Sequence, residues 1–232
     1  MSNKRDTRYF DLYKMDTGDW KEEMIFENTE GFEFAVRTRD RSILALTRPI
    51  TTSESKLYLY DVETRKILEV SEPDKPGLYS GSGFSDDKKY FFYTTDAGSE
   101  FSYLVSYETA SGTRRVIYET DWDVMGGWLS ENDRYRIILI NEDARNVIKI
   151  FDLSTGEEVL YPEIPGTDIL NVNISYSEKY LLLTLGSSKT SGDLYLWEIG
   201  SAEPARLTST MNPEIDPAYL VNAEVVRFKS FD

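Results

Sequence analysis

The chain has 232 residues and a formal net charge of −15. Such a balance lacks the basic stripe of a nucleic-acid binder and repels anionic lipid, so neither is an expected partner. The sequence contains no cysteine and no histidine, which excludes disulfides, thiol chemistry, Ser-His-Asp and Cys-His arrangements and histidine-based zinc sites.

The N-terminal stretch Met1–Arg8 is polar and has no apolar core of a secretory signal. No apolar run reaches the length of a membrane span, and the cytoplasm is the expected location. A partial unit over 1–28 then reads as two strands, near Tyr9–Tyr13 and Lys21–Phe26. Four full units follow, at 29–70, 75–119, 120–163 and 164–209. In the second, the pattern predicts strands near Leu78–Phe84, Tyr90–Thr95, Ser102–Tyr107 and Arg114–Tyr118. Second strands such as Tyr135–Ile140 and Tyr180–Leu185 are apolar almost throughout, as expected of strands covered on both faces. A Pro-rich break over 211–217 leads to a terminal apolar strand, expected at Val225–Phe228.

Two motifs set this division. Phe84-Ser85-Asp86-Asp87-Lys88-Lys89-Tyr90, Leu129-Ser130-Glu131-Asn132-Asp133-Arg134-Tyr135 and Ile174-Ser175-Tyr176-Ser177-Glu178-Lys179-Tyr180 place their serines 45 residues apart. Independently, strands ending in an aromatic and an acid recur at Tyr60-Asp61, Tyr107-Glu108, Phe151-Asp152 and Trp197-Glu198, with Tyr13 one period earlier. A period in the 40s built from short strands predicts an all-β fold, a β-propeller of four-stranded antiparallel blades. About five blades are expected: four full ones and a half-blade that the C-terminal strand can complete. Gly18, Gly112 and Gly156 follow the aromatics by five residues and are expected to supply the positive φ of a tight turn, while Arg65 and Ala202 in the same slot imply another geometry. The serines and acids are expected to bond their own turns, and Tyr90, Tyr135 and Tyr180 to fill space between blades.

The Ser–acid–Lys/Arg–Tyr turn resembles, in degenerate form, the Trp-Ser-Pro-Asp-Gly-Lys repeat. That repeat marks TolB-like propellers and the propeller domain of prolyl oligopeptidase family serine peptidases, the acylaminoacyl peptidases among them. No copy here has the proline, and the tryptophan slot holds Phe84, Leu129 or Ile174. The ending Ala223–Asp232 looks like the crossover by which that peptidase family leaves its propeller for an α/β-hydrolase domain. The resemblance implies a non-catalytic propeller that gates or binds short or acylated peptides. Its expected partner is a hydrolase domain downstream of 232, or a protein or peptide ligand if the propeller is a stand-alone scaffold. The sequence has no Gly-x-Ser-x-Gly; Gly81-Ser82-Gly83-Phe84-Ser85 is only superficially like it. By itself this chain is expected not to be an enzyme, while its parent is expected to be a serine peptidase.

Binding on a propeller concentrates in loops held by the rigid blades. The candidates here are Glu119–Asp123, Asn141–Asn146 and Ser187–Gly192. Trp122 between Asp121 and Asp123 offers an aromatic plane flanked by carboxylates for a basic or amino group; its structural alternative is a half-buried anchor of the loop. Arg145 is the candidate for a carboxylate or a neighbouring domain. Asp86-Asp87 and Glu142-Asp143 match no calcium loop, no carboxylate pair stands out for glycoside hydrolysis, and no metal or cofactor is expected.

Overall fold

A computed structural model describes residues 1–229 other than 163, 165 and 166. The last three positions of the crossover-like ending, Ser230 to Asp232, therefore lie outside the described residues. The chain divides into two units, Met1–Trp128 and Leu129–Asp232.

In the first unit, β1 (Leu12–Met15) and β2 (Glu22–Phe26) form a two-stranded sheet. Next, β3 (Glu33–Arg37), β4 (Ile43–Pro49), β5 (Ser55–Asp61) and β6 (Ile67–Glu69) lie side by side in chain order. So do β7 (Tyr79–Phe84), β8 (Tyr90–Thr95), β9 (Tyr103–Glu108) and β10 (Arg114–Tyr118), and β11 (Asp123–Leu129) has all but its last residue in this unit. In the second unit, β12 (Tyr135–Glu142), β13 (Arg145–Asp152) and β14 (Glu157–Glu158) belong to the order β11-β12-β13-β14. The last sheet is β15 (Asp168–Ile174), β16 (Tyr180–Ser187), β17 (Thr190–Glu198) and β18 (Ala205–Arg206). Each expected full unit thus holds one four-stranded antiparallel blade, and the partial unit holds two strands. Val225–Phe228 forms no strand and does not complete the first sheet.

Burial explains why the second strands are so apolar. In Tyr-Phe-Phe-Tyr-Thr-Thr of β8, every residue after Tyr90 is buried. Phe91 and Tyr93 join Tyr79 and Val105 in a cluster with Ala45, Leu57 and Leu59 of the preceding blade. Each such side chain contributes about 1.5–3 kcal/mol by leaving water. Leu12 and Phe26 pack likewise on Leu44, Leu46, Tyr58 and Tyr60, with Phe26 edge-on to Tyr60 at 4.9 Å. The two-stranded sheet is pinned by buried Asp11, which receives Arg5 through two bonds of 2.8 Å and the Asn28 backbone N–H at 2.8 Å.

The turn between first and second strands is one device used four times. Its first residue, Thr38, Ser85, Ser130 or Ser175, accepts the N–H of the residue five further on through its hydroxyl oxygen. Those N–H groups belong to Ile43, Tyr90, Tyr135 and Tyr180, at 3.0, 3.0, 2.8 and 3.1 Å. The fourth turn residue, Arg41, Lys88, Asp133 or Glu178, takes φ of 64, 60, 59 or 56°. Sequence motifs had exposed only three copies, because Thr38 and Ile43 replace the serine and tyrosine in the first blade. The tyrosine side chains differ: Tyr135 is buried as expected of a residue that fills space between blades, but Tyr90 and Tyr180 are 41% and 36% exposed.

The turns also join blades within each unit. The Lys88 ammonium donates to Asp40 at 2.7 Å. Glu178 accepts from the Ser130 hydroxyl at 2.5 Å and the Asn132 N–H at 2.8 Å. Burial pushes the Glu178 carboxyl up, but these bonds outweigh it and hold it below the ordinary glutamate value.

The turn between third and fourth strands corrects a second expectation. Gly112 (φ 72°) and Gly156 (φ 78°) are left-handed as expected, but Arg65 adopts the same conformation at 56°. Gly18 is not the left-handed residue of its turn; Trp20 is, at 59°. The constant element is the acid four residues earlier, whose carbonyl receives the left-handed residue's N–H in Asp16–Trp20, Glu108–Gly112 and Asp152–Gly156. In the first and third of these, the acid's carboxylate also caps the backbone two residues on.

Two outcomes follow from these turns. Glycine in place of a left-handed residue relieves roughly 1 kcal/mol of backbone strain but costs nearly as much in chain entropy. Lys88→Gly, which removes an exposed ion pair, should therefore leave urea-denaturation stability within about 0.5 kcal/mol of wild type. Glu178→Gly should lose roughly 2 kcal/mol, because two bonds to a buried carboxylate go with it; equal effects would refute the assigned role of Glu178. In the second test, the Lys89 ammonium and N–H and the Ser85 hydroxyl bring Asp87 down to about 2. Arg134 and the Ser154 hydroxyl do the same for Asp152. A carboxyl depressed in the folded state stabilises fully above its unfolded value near 3.8 and loses that effect as pH falls toward 2. Melting temperature should thus drop steeply below about pH 4, and Asp152→Asn should flatten that drop.

Candidate functional site

Asp121 and Trp122 lie in the connection from β10 to β11, and Asp123 is the first residue of β11. Asp123 accepts the Ser102 N–H at 3.0 Å and the Ser102 hydroxyl at 3.2 Å. With the Val124 N–H bonded to the Ser102 carbonyl at 3.0 Å, this carboxylate staples the connection to the start of β9. Trp122 is half-buried and Asp121 exposed. Of the three, Asp121 and the outer part of the indole are the groups open to a ligand.

Beside other loops of the first unit lies a shallow depression of about 450 Å³, bordered by Glu54, Asp96 and Glu100. Asp96 is engaged, accepting the Leu78 N–H at 2.7 Å. Its two neighbours leave the depression acidic.

The second unit carries Arg145, at the start of β13. The expected loop Asn141–Asn146 is tighter than its polar sequence suggested: β12 continues to Glu142 and β13 begins at Arg145. Asp143 and Ala144 alone make the turn, both left-handed at 52 and 60°, in the hairpin geometry matched to strand twist. Ser188 and Lys189 likewise make the whole turn between β16 and β17. Arg145 stands at the mouth of a cavity of about 230 Å³ that is walled by Val147, Tyr161, Ile169, Leu183 and Leu185. Its nearest charge is Asp168, at 3.9 Å, and its side chain is 67% exposed. So long a pairing leaves guanidinium donors for a second carboxylate. Asn146 frames the cavity by donating to the Ile169 carbonyl at 3.0 Å.

Arg145 thus joins a cavity of mixed lining, in which Asn146, Thr167 and Asp168 stand beside the apolar walls, whereas Trp122 and Asp121 belong to the other unit. Sequence reasoning missed Tyr161, in a blade-connecting loop, and Asp168, the first residue of β15, since neither position carries a periodic mark. Every described carboxyl group with a displaced pKa is displaced downward, Asp11, Asp61, Asp87, Asp152 and Asp193 among them. These are anions held by hydrogen bonds and cations, the opposite of a carboxyl tuned as a general acid. Among the described residues, no group of three or more acidic side chains is placed to hold a metal ion.

No protein-family model matches the sequence, and no curated protein matches it. Solved structures do match in fold. TolB from Acinetobacter baumannii superposes with a TM-score of 0.60 at 15% identity, covering 84% of this chain and 50% of that one. Prolyl oligopeptidase B from Galerina marginata gives 0.64 at 14% identity, over 85% of this chain and 30% of the enzyme. The same enzyme bound to a 35mer hydrolysis and macrocyclization substrate gives 0.66 at 13%, over 90% of this chain and 31% of the enzyme. This chain therefore spans half the length of that TolB and under a third of the peptidase. At such identities the likeness establishes the fold: a β-propeller of the kind found in TolB and in prolyl oligopeptidase.

Proposed function

We propose that this chain is the non-catalytic propeller of a cytoplasmic prolyl-oligopeptidase-like serine peptidase, which admits or binds short or acylated peptides for a partner α/β-hydrolase domain. The observation that carries the reading is the propeller match over 90% of this chain to prolyl oligopeptidase B. The composition agrees with it: a chain without histidine or cysteine offers neither the histidine base of the usual triads nor a cysteine nucleophile, so chemistry falls to another domain. Arg145 and its cavity supply the binding chemistry. A peptide's terminal carboxylate pairs with the guanidinium while one apolar side chain enters the cavity. Asp121 beside Trp122 offers a separate place for an amino or basic end.

The second reading is a TolB-like scaffold for a protein partner, favoured by the TolB match over 84% of this chain. The two readings separate on the downstream reading frame. A protein extended beyond 232 should cleave short peptide amides or acyl-peptides, and this chain alone should not. Turnover by the isolated chain would refute the non-catalytic role, and silence in both would favour the scaffold. At the level of binding, Arg145→Ala should weaken short peptides with a free carboxylate about tenfold in calorimetry. The same peptides as amides should be unaffected; equal losses for both would remove Arg145 from the site.

A further inference from the structure

The chain after the last blade ties together two hairpin tips of the second unit. Beyond β18 it runs beside β17 toward the turn with β16. The Leu194 N–H donates to the Thr208 hydroxyl at 2.8 Å, the Thr210 N–H to Asp193 at 2.8 Å and the Thr210 hydroxyl to the Gly192 carbonyl at 3.2 Å. Further on, the Ala223 N–H donates to the Ser188 hydroxyl at 3.0 Å, at the tip of the β16–β17 hairpin. Four residues later the Arg227 guanidinium pairs with Asp143, at the tip of the β12–β13 hairpin. Residues 223–227 are therefore a strap across two tips.

Those two hairpins frame the cavity at Arg145. Arg145 and Val147 belong to β13, and Leu183 and Leu185 to β16. The strap reaches the very turn that holds Arg145. Asp143 stands two residues before it, a backbone span of at most about 7 Å, inside the Debye length of about 8 Å at physiological salt. Around Arg145 the acids outnumber it. Glu142 is its cross-strand partner, Asp143 lies in its turn, and Asp168 is at 3.9 Å. A ligand carboxylate is repelled by all three, and one guanidinium does not balance them. Arg227 cancels the charge of one.

We propose that Arg227 is a positioning residue for carboxylate binding at Arg145: by neutralising Asp143 it leaves the Arg145 guanidinium to the ligand. This rests on the reading of Arg145 as the site of a peptide's terminal carboxylate. Arg227 acts through Asp143 and not by touching the peptide. Coupling between the two contacts is reciprocal, so a carboxylate on Arg145 holds the strap down by as much as the docked strap favours the carboxylate. The ion pair is exposed, Arg227 by 71% and Asp143 by 40%, which keeps the coupling small and sensitive to salt. Whatever lifts residues 223–227 from the hairpin tips thus weakens peptide binding, and a bound peptide end opposes the lifting.

Calorimetry with N-acetyl-alanyl-leucine and with its C-terminal amide tests the proposal. Arg227→Gln should weaken the acid about threefold, the Coulomb effect of one charge at that spacing in water, and leave the amide unchanged. Arg227→Lys should keep wild-type affinity. Asp143→Asn, which suits the left-handed backbone there, should bind the acid at least as tightly as wild type. Added to Arg227→Gln, it should restore wild-type affinity. About 1 M salt should erase most of these differences. The strap is also read without any peptide. Trypsin takes Arg227 only when its guanidinium leaves Asp143, so Asp143→Asn should speed cleavage after Arg227 severalfold, followed by mass. On wild type the acid should slow that cleavage and the amide should not. Equal affinity of wild type for acid and amide would remove Arg145 as a carboxylate site, and this proposal with it. Four results overturn this proposal alone: a preference for the acid that Arg227→Gln leaves intact, a loss shared by the amide, a loss that Asp143→Asn does not repair, or cleavage after Arg227 indifferent to Asp143→Asn.

Discussion

A side-chain oxygen that accepts the N–H five residues ahead is the constraint on which the blades depend. Thr38, Ser85, Ser130 and Ser175 each close the turn between the first two strands in this way. The closure forces one residue per turn into the left-handed region, and the turn accepts that strain because the hydroxyl bond and the strand ladder fix both ends. With the turn set, the register of the second strand is set, and a one-residue slip would carry Phe91 and Tyr93 out of the core. The apolar second strands then supply most of the stability, and the turns decide which way those strands face.

Polar linkage complements this packing without adding reactive groups. Glu178 to Ser130 and Lys88 to Asp40 tie turn to turn, and Asp193 is buried beneath Arg206, Thr208 and the Thr210 N–H. Each of these carboxylates accepts from more than one donor, which makes it good structure and poor acid catalysis. The groups left to meet a ligand are few. Arg145 over its cavity is the clearest of them, held in place by a two-residue turn rather than a long loop.

Much of the fold was legible in the sequence because it repeats. The strand predicted at Tyr90–Thr95 is β8, and that predicted at Arg114–Tyr118 is β10. What escaped was chemistry carried by the backbone rather than by residue type. Thr38 does the work of a serine, and Arg65 and Trp20 take the conformation expected of glycine, Trp20 because a hydrogen bond to the carbonyl four residues back holds the chain there. Asp143-Ala144 makes a tight hairpin that carries no Asn-Gly signal. The candidate site was legible only in part: Arg145 stood out as a charge in a loop, but its apolar walls come from Leu183 and Leu185 of another blade, a neighbourhood no local pattern encodes. Val225–Phe228 has the composition of a strand and stays unpaired, since composition sets a propensity and pairing requires an edge within reach.

Native-state hydrogen exchange tests the central claim most directly. If four equivalent hydroxyl-closed turns organise the blades, the amides of Ile43, Tyr90, Tyr135 and Tyr180 and of the strands they open should be the slowest to exchange, recurring about every 45 residues. Fast exchange at those four amides, or protection without that recurrence, would contradict the account.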